Sequence, residues 1–126
     1  MKLQIDIHTQ IKDAQKKFRE VYPFLKLEFS KNPHSENELS QQEGRLTTEK
    51  IISEVKQSFK PGSIDINKHR TAIEVEKDFY EKFGVASQVS RKLNKTWIET
   101  SVTDDRTLEM QNQQGQMSVI KGQVFL

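Results

Sequence analysis

Polar and apolar positions in this chain alternate, then recur at helical spacing, then alternate again, and the whole succession is written twice. Leu3, Ile5 and Ile7 alternate with Gln4, Asp6 and His8, the period of a strand with one buried face. Ile11, Ala14, Phe18 and Val21 follow with Lys12, Asp13, Lys16, Lys17 and Arg19 on other faces, and Thr9 is placed to cap that helix. Pro23 ends it, because the residue before a proline avoids the helical region. Leu25, Leu27 and Phe29 then alternate with Lys26 and Glu28 as a second strand. The second writing starts at Ile64-Asp65-Ile66. Thr71 and Glu74 have the spacing of a capping box. Val75, Phe79 and Phe83 form its apolar stripe, Gly84 suits a left-handed end, and Val85, Ser87 and Val89 resume the alternation. Laying Ile5-Asp6-Ile7 on Ile64-Asp65-Ile66 brings Phe18 onto Phe79 with a two-residue insertion in the loop. Shared architecture and a duplicated core both produce such an echo.

Elsewhere the pattern is looser. Residues 31–45 hold one Leu among Asn, Pro, His, Ser, Glu, Gln and Gly, which reads as a flexible polar loop. Ile51, Ile52, Val55 and Phe59 fall on one face of a helix predicted over Thr47–Phe59, stopped by Pro61-Gly62. Arg91–Lys95 reads as a turn around Asn94, and Ile98, Thr100 and Val102 as the buried face of the strand completing a hairpin, with Trp97, Glu99 and Ser101 opposite. Thr103-Asp104-Asp105 reads as a helix start, with a short polar helix closed by Gly115. Residues 117–126 read as an apolar C-terminal strand or tail. The expected fold is therefore a single α+β domain over residues 1–126. It has a sheet of about five or six strands carrying three or four helices. Two β-α-β units suit a ferredoxin-like arrangement with the 47–59 helix inserted.

Composition narrows the function classes. The chain has 126 residues, 20 basic against 18 acidic, and a net charge of +2. That balance gives little electrostatic pull toward nucleic acid or an anionic membrane. Cysteine is absent, which excludes disulfides, thiolate catalysis and Cys-ligated zinc. The N-terminus lacks the apolar run of a signal peptide, and no stretch is long and apolar enough for a membrane span. The expectation is a soluble cytoplasmic protein with no cofactor, since no Gly-rich phosphate loop, G-x-S-x-G or H-E-x-x-H is present.

Four residues stand out as candidate binding positions. His8 and His69 each follow a corresponding strand. Were those strands parallel, both loops would lie at one sheet edge, where Asp6 and Asp65 complete a group able to approach a cation. The plainer alternative is a pair of solvated loop histidines. Trp97 and Glu99 share the outward face of their strand, and an exposed Trp beside a Glu is a partner anchor, unless the C-terminal segment covers it. Thr103-Asp104-Asp105 pairs carboxylates, but such pairs before a helix ordinarily cap it. The basic run of the first helix is ordinarily a solvated face. Nucleic-acid binding is disfavoured, because a base-stacking sheet needs more than one aromatic.

From about Thr71 to Gly115 the chain resembles a group of small bacterial α+β proteins without an established activity. The residues carrying the likeness are Phe79-Tyr80-Glu81-Lys82-Phe83-Gly84, Val89-Ser90-Arg91-Lys92, Trp97-Ile98-Glu99-Thr100, Thr103-Asp104-Asp105-Arg106-Thr107-Leu108 and Gln111-Asn112. The resemblance implies a small soluble bacterial domain and carries over no functional residue. Together these readings favour a non-enzymatic binding or protein-interaction module, forming a homodimer or docking a protein through Trp97 and the apolar C-terminal segment. The alternatives are a small metal-dependent or ligand-binding enzyme using the strand-to-helix loops, and a nucleic-acid-binding domain.

Overall fold

A computed structural model describes residues 1–30 and 46–121. Five strands and three helices follow one another as β1 (Lys2–Ile5), α1 (Ile11–Val21), β2 (Leu25–Ser30), β3 (Gly62–Asp65), α2 (Ala72–Phe83), β4 (Ala86–Leu93), β5 (Thr96–Glu99) and α3 (Leu108–Lys121). The fold is α+β, but the single large sheet is replaced by two small ones. β1 pairs with β3, and β2, β4 and β5 lie in that order. Every one of these pairings is antiparallel, so the parallel central strands of a ferredoxin-like sheet do not occur among the described residues.

The two writings of the pattern are one structure repeated. Each element of the first half pairs with its own counterpart in the second: β1 with β3 and β2 with β4. Leu3 faces Ile64 and Leu27 faces Val89, so counterparts meet at the centre of both ladders, as they do across a two-fold axis. The loops share several hydrogen bonds. The His8 N–H donates to Asp6 Oδ1, and the His69 N–H to Asn67 Oδ1. The N–H of Gln10 donates to the Asp13 carboxylate, and that of Thr71 to Glu74. Ile11 and Lys12 donate to the carbonyls of Lys50 and Thr48, while Ala72 and Ile73 donate to those of Arg106 and Asp104. Leu3, Ile5 and Phe18 thus correspond to Ile64, Ile66 and Phe79 with no insertion, which corrects the alignment drawn from sequence.

The same bonds explain the missing helix. Only Ile52–Glu54 forms a single 3₁₀ turn where a helix was expected over Thr47–Phe59. The carbonyls of Thr48 and Lys50 satisfy the free N–H groups at the start of α1, and Ile51 bridges to Gln10. A helix there would withdraw those acceptors from α1's first turn. Ile52 is fully buried, and Val55 and Phe59 still pack on the core, so the apolar spacing is real but served by an irregular segment.

One hydrophobic cluster joins both sheets to the helices. Leu3, Ile5, Phe18, Leu25, Leu27 and Phe29 pack there with Ile64, Ile66, Phe79, Phe83 and Val89 from the second half. Phe29 and Phe79 meet edge to face at 5.1 Å. Ile7, expected on this face, is 59% exposed. β1 stops at Ile5, since the Asp6 N–H donates to Thr9 Oγ1 and turns the chain. Thr9 therefore holds the turn, and Gln10 takes the N-cap position expected of it.

The C-terminal third departs most from expectation. β4 runs to Leu93 and is buried on both faces from Ala86 to Arg91, where alternation had predicted one. Asn94, at φ 57°, makes the β4–β5 turn. β5 ends at Glu99, leaving Val102 85% exposed instead of buried. Thr103-Asp104-Asp105 is a turn, and the helix starts only at Leu108. Gly115 does not close α3 but lies buried inside it, and Met117–Lys121 continues the helix where a strand was expected. Residues 122–126 and the polar segment 31–45 lie outside the described residues.

α3 docks mainly through hydrogen bonds and close approach, with Leu108 its one buried aliphatic side chain. Its buried stripe is Leu108, Gln111, Gly115 and Ser118. Gln111 Nε2 donates to the Thr103 carbonyl, and Asn112 Oδ1 accepts the Phe24 N–H at 2.9 Å. Gln114 Oε1 accepts from both Arg91 and Arg106, at 2.7 and 2.9 Å. Burial and the neighbouring Arg106 charge lower the proton affinity of the Arg91 guanidinium. Several residues that carried the family likeness, namely Arg91, Thr103, Arg106, Gln111 and Asn112, are thus spent on seating this helix. Among the described residues no helix is long and apolar enough to cross a membrane.

Candidate functional site

The predicted histidines do not converge. In the antiparallel β1–β3 ribbon Ile5 faces Gly62 and Lys2 faces Asp65, so the loops that follow β1 and β3 leave from opposite ends. His8 and His69 are both exposed and are held by turns of their own. The parallel strands on which the shared-edge reading stood are absent from this ribbon. Among the described residues no three His, Asp or Glu side chains come together in a way that could hold a metal ion.

Trp97 is differently placed. It is half-buried on β5 opposite Lys92, and one row on, Glu99 lies opposite Ser90, which faces Lys26 on β2. Trp97, Glu99, Lys92 and Lys26 therefore share the outer face of the three-stranded sheet. Three cations crowd the indole ring. The Arg19 guanidinium lies 5.0 Å from its centroid, the Lys26 ammonium 5.0 Å and the Lys92 ammonium 4.8 Å. They come from α1, β2 and β4 respectively, so the cluster depends on the tertiary fold. Lys26 is also paired with Glu28 at 2.9 Å. The aromatic quadrupole attracts each cation, by about 0.5–1 kcal/mol at an exposed site, while the cations repel one another. Beside the indole, Lys16, Arg19 and Lys26 line an open groove of about 560 Å³ between α1 and β2. Among the described residues, basic side chains thus cover Trp97 in part. The C-terminal helix turns Val119 and Ile120 outward, and both are exposed.

The two-fold relation places a second cleft in the corresponding position, between α2, the β4 edge and the Ser101–Asp104 turn. It encloses about 510 Å³ and is lined by Ile73, Glu76, Tyr80, Ser87, Gln88 and Asp104, among others. Here Glu76 stands where the first half has Gln15. Gln15 donates to the outward carbonyl of Leu27 at 2.9 Å, and Glu76 Oε2 accepts the outward N–H of Val89 at 2.8 Å. Burial pushes the Glu76 carboxyl up to about 8. The Val89 N–H opposes that rise, and the negative charges of Asp104 and Glu99 add to it. Ser87 is 9% exposed, and its Oγ finds no hydrogen-bond partner among the described residues.

Arg19, Lys26, Lys92, Glu76 and Ser87 were not singled out from sequence as site residues. Lys26 sat at an ordinary outward strand position, Lys92 in a stretch read as a turn, and Arg19 in a helix face read as solvated. Glu76 was hidden until the halves were aligned without the insertion, when it falls on Gln15. Comparison with known protein families, curated proteins and solved structures found no match to this chain.

Proposed function

We propose that this chain is a non-enzymatic protein-interaction module that docks an acidic segment of a partner on its Trp97 face. The observation that carries the reading is the gathering of Arg19, Lys26 and Lys92 around one indole. Carboxylates brought to that ring relieve the repulsion between the three cations while the indole supplies apolar contact area. The groove along Lys16 and Arg19 gives an extended segment room to run on from the ring. A protein partner is favoured over nucleic acid because Glu28 and Glu99 are interleaved with the cations and the face offers a single aromatic.

Trp97 is the chain's one tryptophan, so its emission reports directly on the site. Titration with oligoglutamate is expected to shift or quench that emission, with the response weakened by salt and lost when Arg19 and Lys92 are both changed to Gln. A response confined to single-stranded oligonucleotides would replace the reading with nucleic-acid binding. No response to oligoglutamate at low salt would remove it.

A further inference from the structure

We infer that the cleft between α2 and the Ser101–Asp104 turn is a second binding site, for a small organic cation bearing an ammonium group on an apolar body, with Glu76 as its counter-ion. Three independent observations lead there. The first is shape: about 510 Å³ lies between Ile73 and Tyr80 on the helix and Ala86–Gln88 on the strand, which is the size range of metabolite-binding cavities. The second is an unpartnered polar atom. Ser87 lines this cleft nine-tenths buried with its Oγ unsatisfied among the described residues, and buried hydroxyls ordinarily find partners. The Oγ itself is almost inaccessible, so it marks unspent polarity in the cleft wall that a ligand reaches only by a small shift of that wall.

The third observation comes from the internal repeat. Gln15 and Glu76 do the same structural job, each closing an outward backbone group of the strand beside its helix. The first half does it with a neutral amide. A carboxamide oxygen at position 76 would accept the Val89 N–H equally well, so the fold does not need the charge there. Desolvating a carboxylate is unfavourable, and here the cost is raised by Asp104 on the adjoining turn and Glu99 on β5. Lys77 and Glu81 of α2 line the same cleft. A cation seated against Glu76 reverses that balance, since it meets net negative charge in a half-enclosed site. The apolar body lies against Ile73 and Tyr80. This site is separate from the Trp97 face, and neither proposal depends on the other.

Glu76 holds its proton near neutral pH, so binding an ammonium group expels it. The amine's affinity therefore rises with pH until Glu76 is ionised in the free protein. The test is calorimetric titration of the full chain with benzylamine and with benzyl alcohol, its uncharged analogue, in buffers of different ionisation enthalpy. Benzylamine is expected to bind roughly tenfold or more tightly than benzyl alcohol. It should release close to one proton at about pH 7 and progressively less as pH rises to about 8.5, where the amine itself is still mostly protonated. Glu76→Gln, which gives this half the residue type of Gln15, should fold and lose most of the amine's advantage. Equal binding of the two probes, binding of neither, or amine binding without proton release near pH 7 would each overturn the inference, and these three readings need no variant.

Discussion

Glu76 accepts the backbone N–H of Val89 at 2.8 Å just beyond the point where β5 leaves the edge of β4. The β4–β5 ladder ends with Ser90 opposite Glu99, so Val89 is the first residue of that edge without a strand beside it. Its carbonyl is taken by the Thr100 N–H and Oγ1. One carboxylate thereby closes the sheet edge and faces a cleft, and the two roles pull its protonation in opposite directions.

Stability should accordingly fall with rising pH because of this one group. The folded carboxyl sits at about 8 against an ordinary 4.5. Its contribution is therefore present in full below about 4.5 and is lost as pH climbs through 8. The gap corresponds to at most about 5 kcal/mol. Glu76→Gln should flatten that slope and leave the variant more stable than the parent by roughly 1–3 kcal/mol at about pH 9. Urea midpoints at acid and alkaline pH check it. A variant with the parent's pH dependence would show that Glu76 is not the titrating group.

Gly115 is required by approach, not by backbone freedom. A Cβ there would lie 2.9 Å from Phe24 Cβ, 3.0 Å from the Phe24 carbonyl oxygen and 3.2 Å from Arg91 Cγ. Two of these neighbours are backbone or close to it and yield little. Gly115→Ala should cost about 1–3 kcal/mol despite alanine's better helix propensity, while Gln116→Ala on the exposed side should be near neutral. Thermal melts of the pair separate the two effects.

Thr71 and Glu74 cap α2 reciprocally, the Glu74 N–H donating to Thr71 Oγ1 at 3.3 Å and the Thr71 N–H to Glu74 Oε1 at 2.9 Å. The bonds that the Glu74 carboxylate accepts, from the Thr71 N–H and from its hydroxyl, hold that carboxyl below its usual range. The cap's contribution is thus present above the ordinary glutamate value and is lost as pH falls through the depressed one. Thr71→Ala should cost about 1 kcal/mol at neutral pH and less in acid. Denaturation at about pH 7 and about pH 3 tests both halves of that statement.

How much of this was legible in the sequence follows from what each element buries. α2 was fully readable because it advertises every signal at once: the Thr71–Glu74 box, the Val75–Phe79–Phe83 stripe and Gly84, whose φ of 68° is left-handed. α1 and β2 were likewise given by aliphatic and aromatic periodicity. α3 was not, because its buried stripe holds Gln111, Gly115 and Ser118, residues that hydrophobic periodicity counts as surface. The segment before Phe59 misled in the opposite way. Its apolar spacing is helical, but its carbonyls are committed to α1. Trp97 was visible as a candidate, yet the three cations around it come from distant elements and no local pattern joins them. The cleft at Glu76 depends on a tertiary edge and became readable only through its counterpart at Gln15.

Tyr22 ties the two halves together at a single atom. Its hydroxyl donates to the Ile66 carbonyl at 2.6 Å, reaching from the end of α1 to the residue after β3. The corresponding position in the second half is Phe83, which is buried without a hydroxyl. Aromatic packing alone therefore suffices there, and Tyr22→Phe should keep its ring contact with Phe18, now 5.4 Å between centroids. What the variant loses is the partner of a carbonyl, at about 1–2 kcal/mol. Burial, with the charges of Glu109 and Asp65, raises the phenol from 10.0 to about 12. Between those values the unfolded chain ionises its tyrosine and the folded one does not, so stability drops across that window. Tyr22→Phe should be less stable than the parent at neutral pH yet lose less on going to about pH 11. Guanidinium unfolding at both pH values decides it. Parallel losses in parent and variant would mean that the hydroxyl titrates alike in both states and that the bond to Ile66 contributes nothing to the alkaline transition.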